Sequence, residues 1–197
     1  MDDCRADATY SDAMHKSLLN DDFIYAIVSQ FELNTRGIHG PMHWGRVMEN
    51  GLRLAEETGA DRKVVALFAF FHDSRRINDG HDPEHGLRGA DFAAVMRGTL
   101  FELSDDAMHL LHYACQYHSE GLLDADITVQ TCWDADRLDL GRVGVKPRPD
   151  RLCTEAARQI EIRDWANYRS ENFVVPDFVA SWIEHDRNTP VCGGGNA

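Results

Sequence analysis

Apolar residues recur along this chain at helical intervals, and little of it shows the two-residue alternation of a half-buried strand. On that periodicity, segments at roughly 21 to 32, 42 to 57, 61 to 72, 84 to 97, 105 to 118, 126 to 140 and 151 to 165 are predicted helices. In the second, Pro41 suits the first turn and Val47, Leu52, Leu54 and Ala55 supply an apolar face. The third carries the run Val64-Val65-Ala66-Leu67-Phe68-Ala69-Phe70-Phe71, apolar on every side, which marks a buried helix. Turn chemistry separates the segments: Thr58-Gly59-Ala60-Asp61 ends one helix and caps the next, Ser104 caps the helix leading to His118, and Asp82-Pro83 reads as another helix start. Phe173-Val174-Val175-Pro176 is the short β-like run, and its proline breaks it. The pattern predicts an all-α fold.

With 197 residues the chain is expected to form one domain with a sizeable core, and the tail Gly193-Gly194-Gly195-Asn196-Ala197 is expected to be disordered. No apolar stretch reaches the roughly 18 residues of a membrane span, and Met1-Asp2-Asp3-Cys4 lacks the basic-then-apolar layout of a secretory signal. Five widely spaced cysteines, with no Cys-x-x-Cys pair, argue against a thiolate zinc site and fit a reducing compartment. A soluble, cytoplasmic protein without a membrane partner is the expectation. The net charge of −13 argues against binding duplex nucleic acid, since phosphate affinity comes from clustered Lys and Arg. A small phosphorylated ligand remains compatible with that charge. A divalent cation would reverse the local sign, and Arg75, Arg76, Arg88, Lys146 and Arg148 are candidate cations for a pocket. No feature of the sequence defines an oligomeric interface.

The candidate chemistry begins where the apolar run ends, at His72-Asp73. An imidazole and a carboxylate closing a buried helix are costly to desolvate unless each has a strong partner, and a metal ion is such a partner. Further ligand types stand at other predicted helix ends: His43 in a first turn, His85 at a helix start, His118 at a helix end, and Asp136 inside Cys132-Trp133-Asp134-Ala135-Asp136-Arg137-Leu138-Asp139-Leu140. The competing structural readings are a dipole-facing histidine and a chain-turning aspartate for His72-Asp73, an exposed first-turn histidine for His43, and a solvated charge run for Asp136.

Taken in order, His43, His72-Asp73 and Asp136 resemble the signature of the HD superfamily of metal-dependent phosphohydrolases, over about residues 35 to 145. The resemblance implies a helical metal-binding core. It assigns the last ligand to Asp136, which directly precedes Arg137, with Asp134 as the alternative; roughly 200° apart on a helix, only one of the two should face the ion. His85 and His118 look like the two extra histidines of members with two metals, and otherwise would orient water or bind phosphate. Arg76 stands where related phosphodiesterases commonly have lysine, three residues after the aspartate. A guanidinium there can clamp phosphate but is not expected to lose a proton.

The expected activity is therefore hydrolysis of a small phosphate ester, nucleotide-like in character. One or two divalent ions (Mn, Mg, Fe, Zn or Co) held by His43, His72, Asp73, His85, His118 and Asp136 would polarise the phosphoryl group and acidify a water. Asp73, Arg76 and His118 are the candidate catalytic residues, with Glu120 as another proton carrier. Two alternatives accompany this reading: an HD-type di-iron oxygenase with the same six ligands, and a non-catalytic metal- or ligand-sensing module. His39 and His81 are assigned to loops, His109 and His112 to a helix surface, and the segment Gly141 to Asp150 to a connector or pocket rim.

Overall fold

The computed structural model describes residues 20–179, and these form an all-α structure. Along the chain run α1 (Asp21–Val28), α2 (Pro41–Thr58), α3 (Arg62–Phe71), α4 (His85–Met96), α5 (Asp105–Tyr117), α6 (Ile127–Arg137), two 3₁₀ turns (Leu140–Val143 and Pro149–Arg151), α7 (Glu155–Arg158) and α8 (Ile160–Glu171). Among the described residues there is no strand, only an isolated bridge between Arg97 and Phe101. None of the described helices is long and apolar enough to cross a membrane. His15, His185, Cys4, Cys192 and the glycine-rich tail lie outside the described residues.

Helix α3 is the hub, and it packs against α2, α4, α5 and α6. Every residue from Val64 to Phe71 is buried, as an all-round apolar helix requires. Each large side chain in that run contributes about 1.5–3 kcal/mol by leaving water. Phe23 of α1 meets Phe70 and Phe71 edge-on, and Trp44 of α2 meets Phe31 and Phe70 in the same way. A smaller apolar cluster, Leu54, Leu138, Leu152, Ala157 and Ile162 among its members, joins α2 to α7 and α8.

Local chemistry sets most boundaries. Gly59 closes α2 in the left-handed conformation (φ 72°), and the Asp61 carboxylate then accepts the N–H groups of Lys63 and Val64 to open α3. Ser104 accepts from Ala107 N–H at the start of α5. Four expectations need correction. Helix α1 stops at Val28, because the chain turns to bury Phe31 against Trp44. Helix α4 starts at His85, since Asp82 does not cap it but accepts from Ile77 N–H and from Arg88. Helix α6 ends at Arg137, which lets Asp139 (φ −93°, ψ 5°) leave the helical path and turn inward. The segment expected as one helix over 151 to 165 is a 3₁₀ turn, the short α7, and α8 running on to Glu171. Asp134 accounts for much of that last difference, because it holds the backbone N–H groups of Cys153 and Thr154, and the extended Gln159 (ψ 137°) separates α7 from α8.

Candidate metal centre

The six candidate ligands meet at one place because each stands at a helix end. His43 lies in the first turn of α2, behind Gly40 and Pro41. His72 caps the C-terminus of α3, and Asp73 continues from it into the turn; His85 opens α4, His118 caps α5, and Asp136 is in the last turn of α6. Three helix C-termini, those of α3, α5 and α6, therefore end at the cluster, where their partial negative charge favours a cation.

The outer nitrogen of each histidine is already engaged. Nδ1 of His72 lies 3.1 Å from the carbonyl oxygens of both Phe68 and Ala69, and Nδ1 of His118 lies 2.7 Å from that of Cys115. His85 Nδ1 bonds the Asp82 carbonyl, and His43 Nδ1 is 2.7 Å from Asp139 Oδ2. Carbonyls and carboxylates only accept, so Nδ1 carries the hydrogen on all four rings. In the neutral form each Nε2 then presents a lone pair.

Those lone pairs converge. His43 Nε2 and His72 Nε2 are 3.1 Å apart, and His85 Nε2 and His118 Nε2 are 2.9 Å apart. Asp73 sits between the two pairs: its Oδ2 is 3.6 Å from His43 and 3.7 Å from His72, while its Oδ1 is 3.2 Å from His85 and 3.7 Å from His118. Asp136 Oδ1 lies 3.4 Å from His43 Nε2 and 3.8 Å from His72 Nε2, buried and without a hydrogen-bond partner. Facing lone pairs and an orphaned buried carboxylate oxygen fit a bound cation, which would satisfy them together. Two groups have ligand geometry, His43/His72/Asp73 and Asp73/His85/His118, all five residues being buried.

Charge within the cluster is uneven. Burial drives the His72 pKa down to about 3, so its ring stays neutral. Burial also opposes ionisation of Asp73 and Asp136, but the neighbouring histidines outweigh it for Asp73, and Arg142 with the histidines does so for Asp136, which falls to about 2. His118 goes the other way, since the contact with Asp73 overcomes its burial and raises its pKa.

The remaining candidates scatter. Asp134 is fully buried on the opposite side of α6, where its carboxylate accepts from Cys153 N–H, Thr154 N–H and Thr154 Oγ. Arg76 donates from Nε to Asp73 Oδ1 at 2.8 Å. Arg75 bonds the Gln30 carbonyl and covers the Phe92 ring, Arg88 pairs with Asp82, Lys146 lies near Asp164, and Arg148 pairs with Asp150. His112 pairs with Asp91, while His81, His109 and Glu120 are exposed. His39, expected as a simple loop residue, is buried with Nδ1 on Asp79 at 2.8 Å. Sequence reasoning gives no role to Asp139 or Arg46, and places Arg142 only within a segment assigned to a connector or pocket rim. Arg46, three residues after His43 on α2, shares a helix face with it, whereas Asp139 reaches His43 only because the chain turns beyond α6, for which the sequence carries no local signal.

No family model matches the chain, and no curated protein matches it. A solved structure does, the crystal structure of a predicted HD superfamily hydrolase from an uncultured Thermotogales bacterium. It is 25% identical, the match covers 82% of this chain and 91% of that one, and the TM-score is 0.58.

Proposed function

We propose that the chain, in keeping with its fold and the order of its candidate ligands, is an HD-superfamily protein and a metal-dependent hydrolase of small phosphate esters. The observation that carries this reading is Asp73, whose two oxygens face two separate histidine pairs. His43, His72, Asp73 and Asp136 would hold one divalent ion, and Asp73, His85 and His118 would hold a second. A bound ion supplies Lewis-acid polarisation of a phosphoryl oxygen and an acidified water near neutral pH.

The chain's own groups do the rest. The Nδ1 contacts hold each ring with Nε2 inward, and His43 owes its orientation to Asp139, which Arg46 grips through Nε at 2.7 Å and Nη2 at 3.0 Å. Arg76 fixes the rotamer of Asp73 and lowers the charge beside it. With only one ion bound, His118 is the buried group suited to hold a proton at Nε2, because Asp73 raises its pKa. The substrate is a small, nucleotide-like phosphate ester, in keeping with a net charge of −13 that disfavours duplex nucleic acid.

The test is phosphate release from a panel of nucleotides and phosphorylated metabolites with manganese, comparing the wild type with Asp73→Ala. Release that disappears in the variant supports the reading. Release that persists at the wild-type rate overturns it, and oxygen uptake by an iron-loaded protein that releases no phosphate would replace it with the di-iron oxygenase.

A further inference from the structure

Most of the cations beside the metal centre are committed to other partners. Arg76 donates to Asp73 through Nε, to the Asn78 and Gly80 carbonyls through Nη1, and turns Nη2 towards His85 at 3.4 Å. Arg46 is divided between Asp139 and the Val174 carbonyl. Arg142, in the 3₁₀ turn after α6, differs. Its Nε donates to the Ile38 carbonyl at 2.9 Å and its Nη1 to the Asp139 carbonyl at 3.0 Å, while Nη2 lies 3.6 Å from the orphaned Asp136 Oδ1 and makes no hydrogen bond among the described residues. The Arg142 side chain is 5% exposed, so this guanidinium stands largely out of bulk water beside Asp136.

The backbone holds this guanidinium in place. A Cβ on Gly141 would collide with Ser170 of α8 and press on Asn167, so the turn lies flat against that helix, and Gly144 (φ 76°) ends it in the left-handed conformation. With two of its nitrogens fixed by carbonyls, the third is aimed before any ligand arrives, and little side-chain entropy is left to lose on binding.

We propose that Arg142 is the residue that binds the substrate's phosphate, donating from Nη2 to a phosphoryl oxygen beside Asp136. This rests on the hydrolase reading above. It assigns the anion-binding role to Arg142 in place of Arg75 and Arg76.

The probe is inorganic phosphate, titrated calorimetrically into the manganese-loaded full chain, with metal content and melting temperature measured alongside. Arg142→Gln is expected to keep its metal and to bind phosphate about tenfold more weakly or worse, the loss of one hydrogen bond between charged groups. If Arg142→Gln fails to fold, Arg142→Lys retains the charge and the stem but not the fork, and a severalfold loss at unchanged metal content carries the same meaning. Wild-type phosphate affinity in a folded, metal-loaded variant overturns the proposal. Phosphate binding that depends on Arg142, with no ester hydrolysed by the wild type, would instead count against the hydrolase reading and leave the Arg142 assignment standing.

Discussion

His43 donates its Nδ1–H to Asp139 Oδ2 across 2.7 Å, and this contact between a first-turn residue of α2 and the chain beyond α6 decides which nitrogen faces the cluster. Asp139→Asn keeps an accepting oxygen but loses the charge that also pairs with Arg46. Metal affinity is expected to fall about tenfold to a hundredfold, as for other partners of metal-binding histidines. Competition against a chelator of known affinity checks it.

Asp134 and Asp136, two residues apart, are predicted to fail in opposite ways. Asp134→Ala leaves the buried N–H groups of Cys153 and Thr154 without their acceptor, and each costs about 1–3 kcal/mol. Its melting temperature should drop by several degrees while the folded fraction still binds metal. Asp136→Ala strips no hydrogen bond from Oδ1 but removes the charge that Arg142 faces, so the metal-free protein should lose less stability than Asp134→Ala and lose affinity for the first ion. Thermal melts and metal titrations on both variants test the contrast.

Acid should remove the two ions in order. A proton competes with the ion for Nε2, and burial holds the His72 pKa at about 3, whereas the His118 pKa is raised by Asp73 over the opposing effect of burial. The ion on His85 and His118 is therefore expected to leave first as the pH is lowered, and the one on His43 and His72 to persist to lower pH. For the metal-free protein, a folded pKa near 3 against 6.5 for an ordinary histidine means that the stability tied to His72 is complete above about 6.5 and is lost as the pH falls towards 3. Metal content after dialysis at stepped pH, with melts of the metal-free form, tracks both effects.

Helix α4 reaches the cluster only because its face is bare. A Cβ on Gly89 would collide with the Phe71 carbonyl oxygen, and one on Gly86 with that of Cys115. Both obstacles are backbone atoms, so neither can swing aside. Gly89→Ala is expected to lower stability by about 1–3 kcal/mol through overpacking, and to weaken the second ion more than the first as α4 shifts with His85. Denaturant unfolding with a metal titration measures it.

The helices and the meeting of their ends were legible in the sequence because both depend on local chemistry. The all-round apolar run of α3, Gly59, Asp61 and Ser104 each act within a few residues, and they place His72, Asp73 and His118 without reference to the rest of the chain. The features that the sequence did not disclose depend on distant partners. The sequence favours Asp136 over Asp134 for its place before Arg137, but the anchoring role of Asp134 shows only in the backbone N–H groups of Cys153 and Thr154 that donate to it. Arg142 looked like part of a connector because its two carbonyl partners come from Ile38, over a hundred residues earlier, and from the turn at Asp139. The break in the segment after residue 150 was hidden for the same reason, since Asp134 imposes it from another helix.

The central claim is that Asp73 is shared by two ion sites, and metal analysis of the manganese-loaded chain tests it most directly. The account predicts two ions per chain in the wild type and loss of both from Asp73→Ala, with the variant still folded by circular dichroism. Wild-type metal content in Asp73→Ala would contradict it.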